Sequence, residues 1–376
     1  GSNLIRFLIE KRGVKPSDLR IFYLENTSNL AIDDLPELEL YPGNILDLDS
    51  VKSACENMDL IYHTVGNTSF EPRNRKIQWL VNVEGTRNLL AAVKNREEIE
   101  KICYTSTVNT LGCPDPKGSL GTLDTSSPYE NEPRLHSFHS KEEILEFADA
   151  VHQGYAPKKW WKEIGIGYYD SKLAAQELIN RAVEKEHLNI VSVLPGTFFG
   201  PHDVFIGNGM YLIRVYNNAM PGGIKGGGLP LCHVEDVVRG HVLAMEKGSP
   251  GERYIITGRE EDNLYMTEML KVIADVIQER EPDKKIKTKF IKIPLFLAKM
   301  GASIAEPILR IFKKPIVISK HIVRAGSYPS FYSYQKAHQD LGYSPQKTFR
   351  NAVEDMYEYY KRHDYFNKTQ REVDKF

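Results

Sequence analysis

The stretch YYDSKLAAQELI places Tyr168 four residues before Lys172. On a helix, positions i and i+4 share a face, so the lysine ammonium can lie beside the phenol. A free tyrosine, with a pKa near ~10, is about 0.1% ionised at pH 7. A neighbouring cation lowers that pKa by roughly 1–3 units, and a tyrosine so placed can exchange a proton with a substrate hydroxyl or carbonyl. Spacing alone is weak evidence, because the chain holds five Tyr-x-x-x-Lys pairs, at 155/159, 168/172, 332/336, 343/347 and 357/361. Pro157 and Pro345 interrupt the helical geometry of two of them, and 357/361 reads as the exposed face of a charged helix. Geometry does not exclude 332/336. Only Tyr168–Lys172 opens a long helix with an apolar stripe (Leu178, Ile179, Ala182) and precedes a buried-type strand.

Upstream, YTSTVNTLG ends a strand-like run with three consecutive hydroxyl residues, Thr105, Ser106 and Thr107. The carboxyl ends of strands are where open α/β sheets place ligands. One of these hydroxyls can hydrogen-bond the oxygen that Tyr168 protonates; satisfaction by the local backbone is the plainer alternative.

The elements that must position these groups follow from periodicity. Short apolar runs at 19–24, 59–65, 101–107 and 189–196 alternate with helical patterns at 48–57, 78–95 and 168–186. That is the signature of βαβ units around a parallel sheet. A polar segment, 113–167, interrupts the alternation; it contains a helical piece around 140–152 and Trp160 and Trp161, for which packing of the insertion on the body is the first expectation and a lid or interface patch the alternative. After residue 200 the chain turns rich in glycine and proline, then reads as helices at 235–247, 266–280 and 349–362. The expected fold is α/β: a Rossmann-type doubly wound parallel sheet over 1–200 with an insertion at 113–167. A smaller C-terminal α/β substrate lobe, mainly 201–362, sends segments back to the first lobe, and 363–376 is a polar tail.

Bulk properties exclude several classes. The 376 residues carry 49 basic and 50 acidic side chains, so no overall field points to nucleic acid. The four cysteines, Cys55, Cys103, Cys113 and Cys232, have no metal-type spacing and suit a reducing, cytoplasmic setting. No metal is expected. The most apolar stretch, 293–312, holds Lys299, Glu306 and Arg310 and is amphipathic, not a clean transmembrane span. A packed surface helix is the first expectation there, and a membrane-surface or apolar-substrate helix the alternative.

Nine segments in order carry a resemblance to a known family. They are GSNLIRFLIEKRG, GNILDLDSV, DLIYHTVG, NVEGTRNLL, YTSTVNTLG, YYDSK, LPGTFFGP, HVEDVVRGHVLAMEKGSPGERYIITG and KAHQDLGYSP. With them the chain resembles the extended short-chain dehydrogenase/reductases (the NAD-dependent epimerase/dehydratase superfamily), most closely the dihydroflavonol-4-reductase and 3β-hydroxysteroid-dehydrogenase-like group. The resemblance runs from residue 1 to about 360, with 113–167 matching poorly. It implies that Thr107, Tyr168 and Lys172 are catalytic, with Lys172 also holding the nicotinamide ribose. It implies a cofactor groove lined by Gly1, Glu25, Asn44, Ile45, Thr64, Val65, Gly66, Thr105, Tyr168, Lys172, Pro195, Gly196 and Thr197. Glu25 occupies the slot whose carboxylate binds the adenosine ribose and repels a 2′-phosphate, which favours NAD over NADP without excluding NADP. Asn82 and Gly85 of NVEGT are expected to fix a helix beside the site.

Departures from the family pattern narrow the chemistry. Asn44 stands where the adenine contact is usually aspartate. Leu194 replaces an arginine common in sugar-nucleotide enzymes, and TSTVN lacks the acidic pair of sugar 4,6-dehydratases. The resemblance therefore implies an NAD(P)-dependent oxidoreductase interconverting a secondary alcohol and a ketone on a small or apolar substrate. A nucleotide-sugar epimerase and a non-catalytic NAD-binding protein stand as alternatives, and a homodimer is a further expectation. GSNLIRFLIEKRG fits the end of a Gly-x-x-Gly-x-x-Gly loop, with Gly1 as its third glycine. The first strand and first glycines are then expected upstream, with a slot between 19–24 and 59–65; a Gly-Ser tag scar is the alternative.

Overall fold

The computed structural model describes residues 1–25, 31–35, 37–112, 140–150, 167–312 and 319–367. Most of the 113–167 segment, with Cys113, the 155/159 pair, Trp160 and Trp161, lies outside the described residues, as does the tail beyond 367. The first half of the chain contains strands β1 (Arg20–Tyr23), β2 (Glu39–Pro42), β3 (Leu60–His63), β4 (Lys101–Thr105) and β5 (Ile190–Pro195). Its helices are α1 (Ser2–Arg12), α2 (Leu48–Ala54), α3 (Arg75–Trp79), α4 (Gly85–Val93), α5 (Lys141–Ala150) and α6 (Gly167–Glu186). Beyond it come β6 (Thr197–Phe199), β7 (Gly222–Ile224), β8 (Gly228–His233), β9 (Arg253–Ile256), β10 (Asn263–Tyr265) and β11 (Ile291–Ile293). The helices there are α7 (Gly209–Tyr216), α8 (Val234–Lys247), α9 (Met266–Arg280), α10 (Leu295–Ile311), α11 (Lys320–Ala325), α12 (Gln335–Leu341) and α13 (Phe349–Arg362).

Four parallel strands form the main sheet in the order β3-β4-β5-β9, so β9 returns from beyond residue 200 to close one edge. β1 pairs in parallel with β2, and β1 and β3 do not pair with one another. Side chains alternate across β4 as strand geometry requires. Ile102 and Tyr104 pack under α4 and α6 with Leu89, Val93, Ala175 and Ile179. Cys103 packs on the other face with Val237 and Ala244 of α8. Burial on both faces accounts for the near-continuous apolar runs of β4 and β5.

The second half of the chain adds the sheet β6-β8-β10 and the pair β7-β11. Its core gathers Leu212 and Ile213 of α7, Met269, Leu270 and Ile273 of α9, and Phe349, Val353, Met356 and Tyr360 of α13. Gly196 joins β5 to β6. A Cβ there would lie 2.5 Å from the Pro230 carbonyl oxygen, so only glycine lets the two sheets approach this closely.

The HVED segment serves this architecture. Buried Asp236 accepts from the backbone N–H groups of Gln346 and Lys347 at 3.0 Å, pinning the turn that starts α13. His233 caps α8 by accepting from Glu235 N–H at its Nδ1, 2.9 Å away. Its proton therefore sits on Nε2, which donates to Asp355 at 2.9 Å.

α10 departs from the packed surface helix expected of it. It lies against α11, but among its residues only Ala302 is buried. Phe296, Leu297, Met300, Ile304, Ile308 and Ile311 are all exposed. Among the described residues no helix is long and apolar enough to cross a membrane.

Candidate active site

Tyr168 stands in the first turn of α6 and is buried, packed against Tyr169, Ala325 and Tyr328. Phe70 meets its ring edge-on at 5.8 Å. Burial pushes the Tyr168 phenol up to about 12, and a hydrogen bond with the Thr107 side chain pulls it back. Thr107 is held by its own turn. Its carbonyl accepts from Thr110 Oγ1 at 2.8 Å, and its hydroxyl oxygen accepts from Asn109 N–H at 3.3 Å. With that lone pair engaged, the Thr107 proton is turned towards other acceptors.

One turn along α6, Lys172 is buried and reaches the end of β4. Its ammonium donates to the Thr105 carbonyl at 2.7 Å and to Tyr104 Oη at 3.4 Å, and lies 4.8 Å over the Tyr104 ring. Burial pushes it down to about 7. The simple i, i+4 picture, with the ammonium lowering the phenol, therefore does not describe this state. The phenol lies above the ordinary tyrosine value, because both groups are desolvated and the lysine spends its charge on a carbonyl.

A widened π-helical turn, Leu80–Glu84, separates α3 from α4 and projects Asn82 inward. Asn82 accepts from Asn67 N–H at 2.8 Å. It also donates to the Asn67 carbonyl at 3.1 Å and to Ser171 Oγ at 2.9 Å. It thereby ties the loop after β3 to the helix that carries Tyr168 and Lys172. Gly85 lets α4 approach the second loop, since a Cβ there would fall 2.9 Å from Ile45 Cγ1.

The third tie comes from the opposite face of the sheet. Thr105 Oγ1 lies 2.9 Å from His241 Nε2, and His241 Nδ1 lies 2.8 Å from the Val237 carbonyl. Because Nδ1 must donate to that carbonyl, Nε2 is the acceptor and Thr105 the donor. Burial pushes His241 down to about 4, so it stays neutral.

The remaining expected residues are spread over several elements. Gly1, Thr64 and Gly66 form an exposed rim: a Cβ on Gly1 would lie 3.4 Å from Thr64 Oγ1, and one on Gly66 3.7 Å from Lys172 Nζ. Val65 lies between them, half-buried. Pro195, Gly196 and Thr197 lead from β5 into β6, with Gly196 close to Thr257 Oγ1. Glu25 is exposed just beyond β1, and Asn44 is exposed beyond β2. Asn44 Oδ1 already accepts from Leu46 N–H at 3.0 Å, which shapes its own turn. Ile45 is buried, its carbonyl held by Asn88. The other described Tyr-x-x-x-Lys pairs are engaged elsewhere. Tyr332 bonds the Gly112 carbonyl and Lys336 pairs with Glu252; Tyr343 bonds the Thr257 carbonyl and Lys347 pairs with Asp355; Tyr357 and Lys361 share Glu281.

Sequence reasoning missed Asn67, Ser171, His241 and the aromatic wall of Phe70, Tyr169 and Tyr328. Ser171 was visible within YYDSK, but its partner lies 89 positions away. The groove suits a polyol cofactor. An ammonium and hydroxyls border a glycine rim that side chains leave open, and Ser106 Oγ is buried with no partner among the described residues. No group of three or more metal-ligating side chains occurs among the described residues.

The chain is similar to known proteins along most of its length. Residues 1–146 match the 3-beta hydroxysteroid dehydrogenase/isomerase family, and residues 166–257 match the NAD dependent epimerase/dehydratase family. A putative dihydroflavonol 4-reductase from Synechocystis is 28% identical, covering 98% of this chain and 94% of its own. A 3 beta-hydroxysteroid dehydrogenase/Delta 5-->4-isomerase from Mycobacterium tuberculosis is 21% identical over 86% of this chain and 80% of its own. Among solved structures, a nucleoside-diphosphate-sugar epimerase from Pseudomonas aeruginosa superposes with a TM-score of 0.68 at 18% identity. It covers 98% of this chain and 95% of its own, and shows the fold. Over these residues the chain is similar to NAD-dependent oxidoreductases of the extended short-chain dehydrogenase/reductase type.

Proposed function

We propose that the protein interconverts a ketone and a secondary alcohol on a small or apolar substrate. The observation that carries this reading is the buried Tyr168 phenol beside the Thr107 side chain, one helical turn from Lys172. Tyr168, pushed up to about 12, keeps its proton at neutral pH and is poised as a general acid. In the reducing direction Thr107 donates a hydrogen bond to the substrate carbonyl oxygen and Tyr168 gives that oxygen its phenolic proton. NADH, when bound, supplies the hydride that the carbonyl carbon receives. The C=O bond becomes C–O–H, and Tyr168 is reprotonated from solvent. Lys172, Gly66 and Thr64 would border the nicotinamide ribose, and Lys172 is the cation available to steady the transient phenolate.

Two features support the choice of substrate and cofactor. The wall beside Tyr168 is aromatic and apolar, made by Phe70, Tyr169, Ala325 and Tyr328. The Arg20 guanidinium is committed to Glu39 at 2.9 Å and to the carbonyls of Ala54 and Glu56, so it does not offer a 2′-phosphate site near Glu25. The test is turnover of ring ketones followed by NADH absorbance. Tyr168→Phe should lower kcat by about 10²–10⁴-fold with unchanged NADH affinity. Net absorbance change that survives intact in Tyr168→Phe, or sugar-nucleotide turnover with no net change, would refute the reading.

A further inference from the structure

α10 turns Leu295, Ala298, Ala302, Ala305 and Leu309 inward and still presents a second apolar side to solvent, where an ordinary surface helix is polar. Phe296, Leu297, Met300, Ile304, Ile308 and Ile311 fall within one arc of roughly 120°, at 3.6 residues per turn, and no charged residue interrupts it. Ile304 is 62% exposed and Phe296 69%. Lys299, Glu306 and Arg310 lie to one side of this arc, and Arg310 pairs with Glu306. Exposed Ile291 on β11 and Phe312 beyond the helix extend the apolar surface at both ends. Single exposed leucines need no explanation; a continuous patch of this kind does.

The charge around the patch selects its occupant. From Lys284 to Ala305 the sequence has six lysines and no acidic residue, in a chain whose net charge is only −1. Lys285, Lys289 and Lys292 are exposed in the segment that leads into the helix. A second copy of this chain would bring two such lysine runs together, and their repulsion opposes a symmetric dimer through this face. A surface that is apolar in the plane and negatively charged above it meets both features at once.

We propose that α10 docks the protein on an anionic lipid surface. Its apolar arc enters the acyl–headgroup boundary, while Lys285, Lys289 and Lys292 face the headgroups. The helix lies in the plane of the interface and spans nothing, in keeping with its amphipathic pattern and with Pro307 inside it.

The test is flotation of the full chain with unilamellar vesicles of phosphatidylcholine, with and without phosphatidylserine. Binding is expected to phosphatidylserine vesicles, and to drop by about 10-fold or more on neutral vesicles or in high salt. Met300→Glu/Ile304→Glu should lower binding by about 10-fold or more while the thermal transition stays in place, since both side chains are exposed. Lys285→Gln/Lys289→Gln/Lys292→Gln should remove the preference for phosphatidylserine and spare residual apolar binding. Three results overturn the proposal: folded wild-type protein that ignores phosphatidylserine vesicles, a Met300→Glu/Ile304→Glu protein that binds as well as wild type, or concentration-dependent self-association through this face that vesicles do not disrupt.

Discussion

Lys172→Met separates what the lysine does for chemistry from what it costs the fold. The ammonium is buried and pushed from 10.5 down to about 7. A displacement of that size sets a ceiling of about 5 kcal/mol on the penalty for keeping it charged in the folded protein. Methionine fills nearly the same volume without charge, but leaves the Thr105 carbonyl without its 2.7 Å donor, at a cost of about 1–3 kcal/mol. At pH 7 the desolvation penalty outweighs the lost hydrogen bond, so the cofactor-free variant should be more stable than wild type by about 1–3 kcal/mol. The sign of the pH dependence follows from proton binding. Between pH 7 and 10.5 the unfolded chain holds the lysine proton and the folded chain releases it. Wild type therefore gains stability as pH rises through that window, by at most about 1.4 kcal/mol per pH unit, and Lys172→Met does not. Urea unfolding of both proteins at pH 7, 8 and 9 measures the difference, because all other titrating groups are common to the two. The gap should close as pH rises and then reverse. Parallel curves, or a variant less stable than wild type at pH 7, would refute the assignment of Lys172 as a desolvated, strained ammonium. Activity should be lost in the variant whichever way stability moves.

Three further outcomes follow from the same geometry. Asn82→Ala breaks bonds to both Asn67 and Ser171 and should cost about 2–4 kcal/mol; thermal unfolding and kcat/KM for NADH should fall together. Asp170 is buried and raised to about 8, so the stability it allows is fully present below its ordinary value of 3.8 and is lost as pH rises through 8. Asp170→Asn should therefore be more stable than wild type at pH 8 and lose that advantage towards pH 4, as read by unfolding at both pH values. Gly196→Ala sets a methyl against the Pro230 carbonyl and Thr257, and should destabilise by about 1–3 kcal/mol; unchanged thermal unfolding would show that the joint gives way.

Much of the main sheet was legible because β4 and β5 are buried on both faces and its helices carry apolar stripes. The runs at 101–107 and 189–196 became β4 and β5, and the 168–186 pattern became α6. β2 and β6 to β11 were not foreseen. All but β8 are three or four residues long, and short strands carry too little periodicity to announce themselves. In the site, spacing found Tyr168 and Lys172 but misdirected the ammonium, because i, i+4 geometry says nothing about a competing carbonyl on a distant strand. His241 was invisible for a similar reason: its partner lies 136 positions away. The apolar side of α10 was visible as a pattern. Which way that side faced was not, because amphipathicity fixes a helix's two faces and not the neighbour each will meet.

Thr105 reads out on both sides of the sheet. Its carbonyl holds Lys172 from α6, and its hydroxyl holds His241 from α8. The two helices never touch the same side of β4, yet one residue's rotamer and peptide plane serve both. A change at His241 that turns the Thr105 hydroxyl is therefore felt by the ammonium beside the substrate, and the worth of one residue depends on the identity of the other. In a mutational library these three positions should show strong epistasis, with substitutions at His241 tolerated or not according to what stands at 105. An engineer who redesigns the active side alone, leaving α8 untouched, would be changing two positions of a three-part unit.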